Sequence, residues 1–380
     1  PWKGFQSVMF KIKIIDRYIF SQVFKATLVC ILLFGIIWIA PETLKNTVER
    51  VMNGQYTLEY GINVILCEIP KILANALSVG VFLGTLFTFD KLSKDSEMTI
   101  LRACGASFYR IIASLLVFGV LTSGLVFFVR DRLIPFTECT YSMKHKASTK
   151  VTHFVFPTKD NEDKMEKIII VPEFVNYSIN DVVVLDFNPD VEKQGGSLLK
   201  TIRMSDYVRF NEKDNSWRIN EATVYKITSD GIYHEVGKEH NTLILDGERG
   251  RNAYELMKSS VKRDREMTNA ELKRYVKLLK QESMDDEYRS MLHKYLSRHS
   301  QVLMTILFVV FGALLGFSKP REQRLIGFTL AVLTIFLYYI TMPFLDLMAE
   351  KGVIPPVITA FIAPIILLIS IKVLKKHKDL

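Results

Sequence analysis

A short charged segment, SKDSEMTILRACGAS at residues 93–107, separates two long apolar stretches of the sequence. Asp95 can accept hydrogen bonds from the free N–H groups at the start of a helix, and Glu97 would then face the positive end of the helix dipole. Met98 supplies an apolar side, and Gly105 offers the left-handed residue that commonly ends a helix. The pattern predicts a short helix that lies along the face of a membrane.

The residue types alone leave two interpretations of this helix open. The segment could be an ordinary solvated cytoplasmic loop, or it could be a helix that binds in a groove of another protein. Its mixture of Lys94, Asp95, Glu97 and Arg102 suits an exposed and specific contact better than burial in lipid.

The sequence contains no arrangement that we can assign to catalysis or to metal binding. The phosphate-binding pattern G-x-x-x-x-G-K-S/T is absent, so any nucleotide hydrolysis that drives the protein takes place on a partner. His293 and His299 lack the spacing of metal ligands on one helix face, and Asp346 and Glu350 are predicted to lie at the membrane interface. We therefore expect a protein that is not an enzyme and that binds no cofactor or metal itself.

Two basic residues, Lys45 and Arg50, follow the first apolar stretch and are the best-placed groups for anionic lipid head groups. Both could equally face water.

A second charged pair, Glu68 and Lys71, flanks Pro70 at the edge of the next apolar stretch. Charged groups inside a membrane often mark an ion path, but the edge position favours a helix end that Pro70 kinks, with Lys71 extending toward water.

Apolar residues make up 49% of the 380-residue chain and are concentrated in six runs. Each run is long enough to cross roughly 30 Å of hydrocarbon at about 1.5 Å per residue. Six such runs argue against one large soluble core and predict a polytopic α-helical membrane protein with six transmembrane helices. The runs cover Tyr18–Ala40, Ile72–Phe89, Ile111–Val129, Val302–Ser318, Leu325–Leu345 and Val353–Ile371.

The distribution of lysine and arginine over the short loops predicts the orientation. The N-terminal segment, residues 90–110, residues 319–324 and the C-terminal tail together carry fifteen of them, against four in the short loops of the other side. Loops rich in lysine and arginine stay in the cytoplasm. Both termini are therefore predicted to be cytoplasmic, and residues 130–300 to lie on the outer side.

The outer segment predicts an external β-domain. Runs rich in β-branched and aromatic residues occur within residues 150–262 and are separated by turn signals such as SDG. Several short strands without intervening helices predict an antiparallel β-domain, and periodicity leaves a sandwich, a jelly roll and an open barrel all possible. The predicted strands are 167–175, 181–187, 198–210, 216–228 and 241–247.

A helical pattern follows the strands. Thr268 and Glu271 have the spacing of a capping box, and apolar residues follow at helical intervals. The predicted organisation is therefore transmembrane helices 1–3 with the charged segment, the β-domain, a connecting amphipathic helix, and transmembrane helices 4–6. The corresponding ranges are 10–130, 131–266, 267–300 and 301–380.

Six short motifs occur along this layout. They are DRYI at 16–19, EIPK at 68–71, LSKDSEMTILRACGAS at 92–107, WRIN at 217–220, MTNAELKRYV at 267–276 and GVIPP at 352–356. Each motif is short, but their order across three spans, a β-domain and three further spans is specific. On these motifs the sequence resembles the lipopolysaccharide export permeases, the LptF/LptG family, over residues 10–376.

The resemblance implies a six-span permease of the Gram-negative inner membrane whose external, periplasmic domain is an antiparallel β-jelly roll. Members of the family pair with a second such permease, as a heterodimer or homodimer, and with a cytoplasmic ATPase dimer to form an ABC transporter. The transporter extracts lipopolysaccharide and feeds it to periplasmic jelly-roll bridge proteins. ATP would be used by the partner ATPase, and no nucleic acid is expected as a partner.

The resemblance also assigns roles to individual residues. The segment 93–107 is similar to the coupling helix that docks in the ATPase, and Glu97 matches the acidic contact residue of the family. The residues expected to contribute around it are Asp95, Ser96, Met98, Arg102 and Gly105.

Three other functions are compatible with parts of the sequence. An ABC permease of the mechanotransmission type would share the coupling helix and carry no lipid. An envelope-sensing receptor would require a cytoplasmic output domain, and only nine residues follow Ile371. A lipid-modifying enzyme would require a cluster of acid, base or nucleophile near the interface, and the sequence nominates none.

Overall fold

The computed structural model describes residues 14–39, 44–105, 108–138, 151–159, 164–175, 178–188, 198–228, 233–317 and 325–377. The chain divides into two compact units. One comprises Pro1–Tyr141 and Leu292–Leu380, and the other comprises Ser142–Met291.

The helices and strands of the described residues alternate as three apolar helices, a block of strands and three further apolar helices. The helices are α1 (Ile14–Ile39), α2 (Lys45–Met52), α3 (Leu58–Lys94), α4 (Glu97–Ala103), α5 (Phe108–Phe128), α6 (Gly247–Ser260), α7 (Asn269–Gln281), α8 (Asp285–Gly316), α9 (Leu325–Glu350) and α10 (Pro356–His377). The strands are β1 (Val151–Lys159), β2 (Met165–Val175), β3 (Ser178–Phe187), β4 (Leu199–Asn211), β5 (Ser216–Ile227) and β6 (Tyr233–Leu245).

The six predicted membrane spans are confirmed. Six helices among the described residues are long and apolar enough to cross a membrane. They are Ile14–Ile37, Leu58–Lys94, Arg110–Glu138, Asp285–Gly316, Ile326–Glu350 and Pro356–His377. The protein is therefore a polytopic helical membrane protein, with several helices that extend beyond the apolar run that predicts them.

Helix α3 extends furthest beyond its predicted span. It begins at Leu58, after Thr57, whose hydroxyl accepts a hydrogen bond from the Tyr60 N–H. Pro70 therefore lies inside α3, and the prediction of a helix end at this residue is wrong. The apolar run marks only the most apolar part of the helix, because a helix can continue through polar residues. The neighbouring Glu68 and Lys71 form an ion pair of 3.0 Å along the helix.

Helix α3 is also the most enclosed span, with 78% of its most apolar window buried. Gly80 and Gly84 face α1 so closely that an added Cβ would lie 2.5 Å from the Ile31 side chain and 2.4 Å from the Thr27 hydroxyl. Lipid tails are as apolar as leucine, so helices in a membrane associate through close van der Waals packing, which small residues allow.

The opposite side of α3 packs against α8 in the same manner. A Cβ on Gly312 would lie 2.5 Å from the Phe82 carbonyl oxygen, and one on Gly316 would lie 2.3 Å from the Leu86 carbonyl oxygen. The Phe82 ring stacks on Phe308 with 4.9 Å between ring centroids. Helix α3 is thus packed between α1 and α8, with no space for larger side chains at these glycines.

The second unit contains a six-stranded antiparallel sheet, which confirms the predicted β-domain. Each strand pairs with the next one along the chain, so the order is that of a meander. A jelly roll would also place strands that are distant in the chain side by side, and the strands described here contain no such pair. Strand β5 alternates buried Trp217 and Ile219 with exposed Arg218 and Asn220, which places the two apolar side chains on one face.

Helix α6 lies within a range for which the sequence analysis predicts only strands. Its Gly250 carbonyl accepts a hydrogen bond of 2.8 Å from the Trp217 indole, and its Tyr254 stacks on Phe210 at 4.1 Å. A Cβ on Gly250 would lie 2.1 Å from the Asn215 carbonyl oxygen. The helix is missed because the surrounding sequence is dominated by strand patterns, in which polar and apolar residues alternate. The signal that identifies α6 is the helical spacing of the buried Ala253, Leu256 and Met257.

The predicted capping box is present at the start of α7. The Thr268 hydroxyl accepts a hydrogen bond from the Glu271 N–H, and the Glu271 carboxylate accepts one from the Thr268 N–H. The apolar side of α7 is buried, as its spacing predicts. The connecting segment is not one helix, however, because α7 ends at Gln281 and α8 begins at Asp285, with Ser283 in a left-handed conformation between them.

The capping box predicts a pH-dependent stability. Partial burial acts to raise the pKa of Glu271, but hydrogen bonds from Lys262 and Thr268 outweigh it and lower the pKa below its ordinary value. A carboxyl group whose pKa is lower in the folded state stabilises the fold at pH values above its pKa in the unfolded chain. This stabilisation is lost as the pH falls through the pKa of the group in the folded state. We expect Glu271→Gln to speed amide hydrogen exchange in α7 at pH 7, and to differ less from the wild type as the pH falls toward 4.

Thr268→Ser is the matched control, because it retains the hydroxyl acceptor and should leave the exchange of α7 unchanged. Thr268→Ala should cost about 1 kcal/mol of local stability. Equal exchange rates in the wild type and in Glu271→Gln at pH 7 would contradict the contribution of the charge.

The glycine contacts of α3 predict that a single methyl group is enough to destabilise the helical unit. Gly312→Ala should lower stability by about 1–3 kcal/mol, because backbone or aromatic groups must shift to accept it. Gly124→Ala on α5 is the control, since a Cβ there meets nothing within 4 Å. Thermal unfolding in detergent measures the difference, and similar unfolding temperatures for the two variants would exclude close packing at Gly312.

Candidate functional site

Helix α4 lies directly after the most enclosed span. Asp95 ends α3, with its N–H bonded to the Lys91 carbonyl oxygen at 2.9 Å, and Ser96 turns the chain in a left-handed conformation. The prediction that Asp95 caps the start of α4 is therefore wrong, because the hydrogen bonds of α3 continue to that residue. The predicted end is confirmed: Gly105 has φ of +82° and donates to the Arg102 carbonyl oxygen at 2.9 Å.

Met98 anchors α4 in the helical unit. Its side chain is only 2% exposed, and it belongs to an apolar cluster to which α1, α3, α5 and α8 contribute. Burial of a methionine side chain contributes about 1.5–3 kcal/mol. A displacement of α4 must therefore move the neighbouring spans or break this packing. The other members of the cluster include Ile19, Val23, Leu92, Ile111 and Leu115.

The outward side of α4 is accessible. Ile100 is 60% exposed, and Thr99 and Ala103 beside it are also exposed. Arg102 lies at the edge of this surface, where its guanidinium carbon is 5.7 Å from the centre of the Phe317 ring. An apolar centre with charged groups at its edge is the composition of a surface that binds a protein partner.

Glu97 lies between the buried and the exposed side of α4 and bonds to α1. Its carboxylate accepts hydrogen bonds of 2.9 and 3.2 Å from the Tyr18 hydroxyl, which in turn accepts one of 3.1 Å from the Gln22 amide. Two residues earlier in α1, Asp16 forms an ion pair of 2.9 Å with Arg110 in the first turn of α5. The first turns of α1 are therefore joined to both α4 and α5 by charged groups.

The contact of Tyr18 with Glu97 is absent from the sequence analysis. Tyr18 belongs to the DRYI motif, but the two residues lie 79 positions apart and no local spacing pairs them. The structure thus adds Tyr18 to the residues that position the candidate coupling helix.

Lys45 and Arg50, the lipid head-group candidates, lie apart from α4. They are on α2, which follows the end of α1 that is farther from Tyr18. Because α1 is about 39 Å long at 1.5 Å per residue, its length separates the two regions. Lys45 is largely exposed, with its Nζ 3.8 Å from Glu49. Arg50 donates to the Tyr56 hydroxyl, and its guanidinium lies 5.4 Å from the centre of that ring. Lys45 is therefore the more accessible of the two cations.

No metal centre is found in the part of the chain that the structure describes, where no three His, Cys, Asp or Glu side chains form a group suited to an ion. The described residues of α4 instead form an exposed surface around Ile100 that can contact another protein.

Comparison with known proteins identifies one family. The family model described as lipopolysaccharide export system permease LptF/LptG matches residues 17–375. The chain is 24% identical over 110 residues to the lipopolysaccharide export system permease protein LptF of Escherichia coli strain K12, and equally to that of Shigella flexneri. These matches cover 29% of this chain and 30% of the length of each relative.

The two sides of α4 predict unequal effects of truncation on stability. Met98→Ala should destabilise the helical unit by about 2–5 kcal/mol, because it opens a cavity in the apolar cluster that joins α4 to the spans. Ile100→Ala, the matched control on the same helix, should change stability by no more than about 0.5 kcal/mol. Thermal unfolding of the purified chain in detergent compares them, and an equal loss in both variants would show that Met98 is not an anchor.

Proposed function

Because the chain belongs to the LptF/LptG family of lipopolysaccharide export system permeases, we propose that it is a permease subunit of an ABC transporter. In this role it extracts lipopolysaccharide from the inner membrane and passes it to a periplasmic bridge for export to the outer membrane. The partners are a cytoplasmic ABC ATPase dimer, a second permease of the same type, and periplasmic jelly-roll bridge proteins. The second permease forms a heterodimer or a homodimer with this chain.

Helix α4 is the observation that carries the proposal. It combines an outward surface around Ile100 with an inward anchor at Met98, so a partner bound outside can move the spans inside. The sequence has no phosphate-binding loop, so ATP is hydrolysed by the partner. Glu97 presents a carboxylate that a cationic side chain of the ATPase can bind.

The first transmembrane helix is the element that α4 moves. When the ATPase closes on its nucleotide, the displacement of α4 passes to α1 through Met98 and through the hydrogen bond between Tyr18 and Glu97. Helix α1 has only 22% of its most apolar window buried, so most of its surface faces lipid or the second permease. Its movement changes the width of the cavity between the two permeases, which lipopolysaccharide enters from the side.

The β-domain lowers the cost of moving acyl chains away from the membrane. Each CH₂ group that leaves the bilayer for water costs about 0.8 kcal/mol, so an unshielded lipid would not leave. Exposed apolar side chains on separate strands, among them Val155, Met204 and Leu243, provide contacts that replace part of the lost hydrocarbon environment.

This function requires a defined orientation in the inner membrane. The termini and α4 lie in the cytoplasm with the ATPase, and the β-domain lies in the periplasm, in agreement with the distribution of lysine and arginine. Lys45, at the far end of α1 from Tyr18, then lies at the outer surface, where it can meet a phosphate of the lipopolysaccharide head group. Arg50 is engaged by Tyr56 and must leave it to do the same.

The composition of the native complex tests the proposal. We would purify the tagged chain from its native membrane in mild detergent and quantify the bound proteins and glycolipids by mass spectrometry. A stoichiometric ATPase together with lipopolysaccharide supports the proposed function. An ATPase without such lipid would replace it with the mechanotransmission function, and the absence of both would overturn it.

A charge reversal tests the coupling helix itself. Glu97→Lys should abolish ATP-driven release of lipopolysaccharide from proteoliposomes and reduce co-purification of the ATPase, with an unfolding temperature close to that of the wild type. Tyr18→Phe is the control variant, because it removes only the hydrogen bond to α1 and should retain the bound ATPase. Normal release by Glu97→Lys would exclude a coupling role for this residue.

A further inference from the structure

Helix α2 joins the first two spans and carries an apolar stripe that the rest of the described chain leaves uncovered. The α2 stripe consists of Val48, Met52 and Leu44, which immediately precedes the helix in a helical conformation. The three residues follow one another at intervals of four, so they lie along one side of the helix. Leu44 is 42% exposed, Val48 45% and Met52 82%. The helix has eight residues, too few to cross the hydrocarbon, so this exposure is not that of a membrane span.

The adjacent side of α2 is packed against the start of α3. A Cβ added to Gly61 would lie 2.8 Å from a methyl carbon of Val51 and 3.2 Å from the methyl carbon of Thr47. Thr47 is buried, and the absence of a side chain at Gly61 lets the two helices approach closely. This packing determines which side of α2 faces α3 and which side remains exposed.

The third side of α2 is polar. Lys45 and Glu49 lie one turn apart with 3.8 Å between their charged atoms, and more than half of each side chain is exposed. Asn46 is also exposed and lies on the side of the helix opposite Val48. An apolar side next to a strongly polar side is typical of helices that lie in the plane of the membrane–water interface, with their apolar side among the acyl chains.

The first turns of α3 have the same character. Leu58, Ile62 and Leu66 repeat the four-residue spacing and are between 51% and 71% exposed. Beside them, Tyr56 and Tyr60 are in edge-to-face contact, with 4.3 Å between their ring centroids. Tyrosine is enriched where a span meets the lipid head groups. Both helices thus leave apolar rows uncovered next to aromatic side chains, which indicates a lipid interface at this end of the helical unit.

Lipid fits the α2 stripe better than a protein partner does. A stable protein interface buries about 800 Å² and about 20–30 residues on each side, whereas the stripe offers three side chains. Lysine and glutamate, which flank it at positions 45 and 49, are depleted in the centres of protein interfaces. Acyl chains require no matching shape, so a narrow apolar stripe is enough to bind them.

We propose that α2 is an interfacial helix whose apolar stripe is inserted among the acyl chains of the membrane lipids. Lys45 and Glu49 then face the head groups and water. Because α2 is also packed on Gly61, its insertion holds the junction of α1 and α3 at a fixed depth. The contact is with bulk membrane lipid and requires neither the ATPase nor lipopolysaccharide transport, so it goes beyond the proposed function and stands independently of it.

Spin-label accessibility tests the insertion, with one full-length chain in each phospholipid nanodisc and without the four native cysteines. Labels at Val48→Cys and Met52→Cys should collide more often with oxygen, which dissolves in hydrocarbon, than with a water-soluble nickel chelate. The label at Asn46→Cys, on the opposite side of the same helix, should show the reverse order. Insertion is overturned if all three labels favour nickel, because a single chain in lipid then leaves the stripe in water.

Hydrogen exchange in the same nanodiscs is a second test that keeps the native cysteines. Met52→Asp should speed amide exchange in residues 45–52 about tenfold, because the burial of a methionine side chain in lipid is lost. Asn46→Asp, which adds the same charge on the polar side, should exchange like the wild type. Equal exchange in Met52→Asp and the wild type would overturn the insertion, even where the cysteine-free chain fails to fold. Neither readout involves transport, so a failure of the proposed function leaves both tests valid.

Discussion

The close packing of α3 against two neighbouring helices is the constraint on which the helical unit depends. In lipid, burial of apolar surface does little to bring helices together, so contact has to come from shape. Gly80 and Gly84 admit the backbone of α1, and Gly312 and Gly316 admit the backbone of α3 to α8. Because α3 is held on both sides, the position of its last turn, and with it the start of α4, is determined.

Polar contacts then join helices at the two ends of this packed unit. At one end Tyr18 binds Glu97, and at the other His293 binds Asp346. Both contacts involve a span whose most apolar window is largely unburied within the chain, α1 in the first case and α9 in the second. The enclosed helices α3 and α8 thus form the packed centre of the unit, and polar contacts between helices add to the positioning of the spans around it.

Much of the architecture could be predicted from the sequence, and the errors have physical causes. Six spans, a β-domain and the Thr268 capping box all follow from local periodicity and spacing, which the structure confirms. Asp95 has the residue type of a helix N-cap but ends α3, because the preceding helix continues for one more turn. Helix α6 is absent from the prediction because strands surround it, although its apolar residues have helical spacing.

The sequence by itself determined which segments cross the membrane, which form strands, and that the charged segment contains a short helix that ends at Gly105. These properties depend on neighbours within a few residues, through hydrogen bonds along a helix or alternation along a strand. Only the tertiary structure decided that Tyr18 holds Glu97 and that His293 binds Asp346. Such contacts join residues that are remote in the chain, and they arise only when helix packing brings two surfaces together, so no local pattern records them.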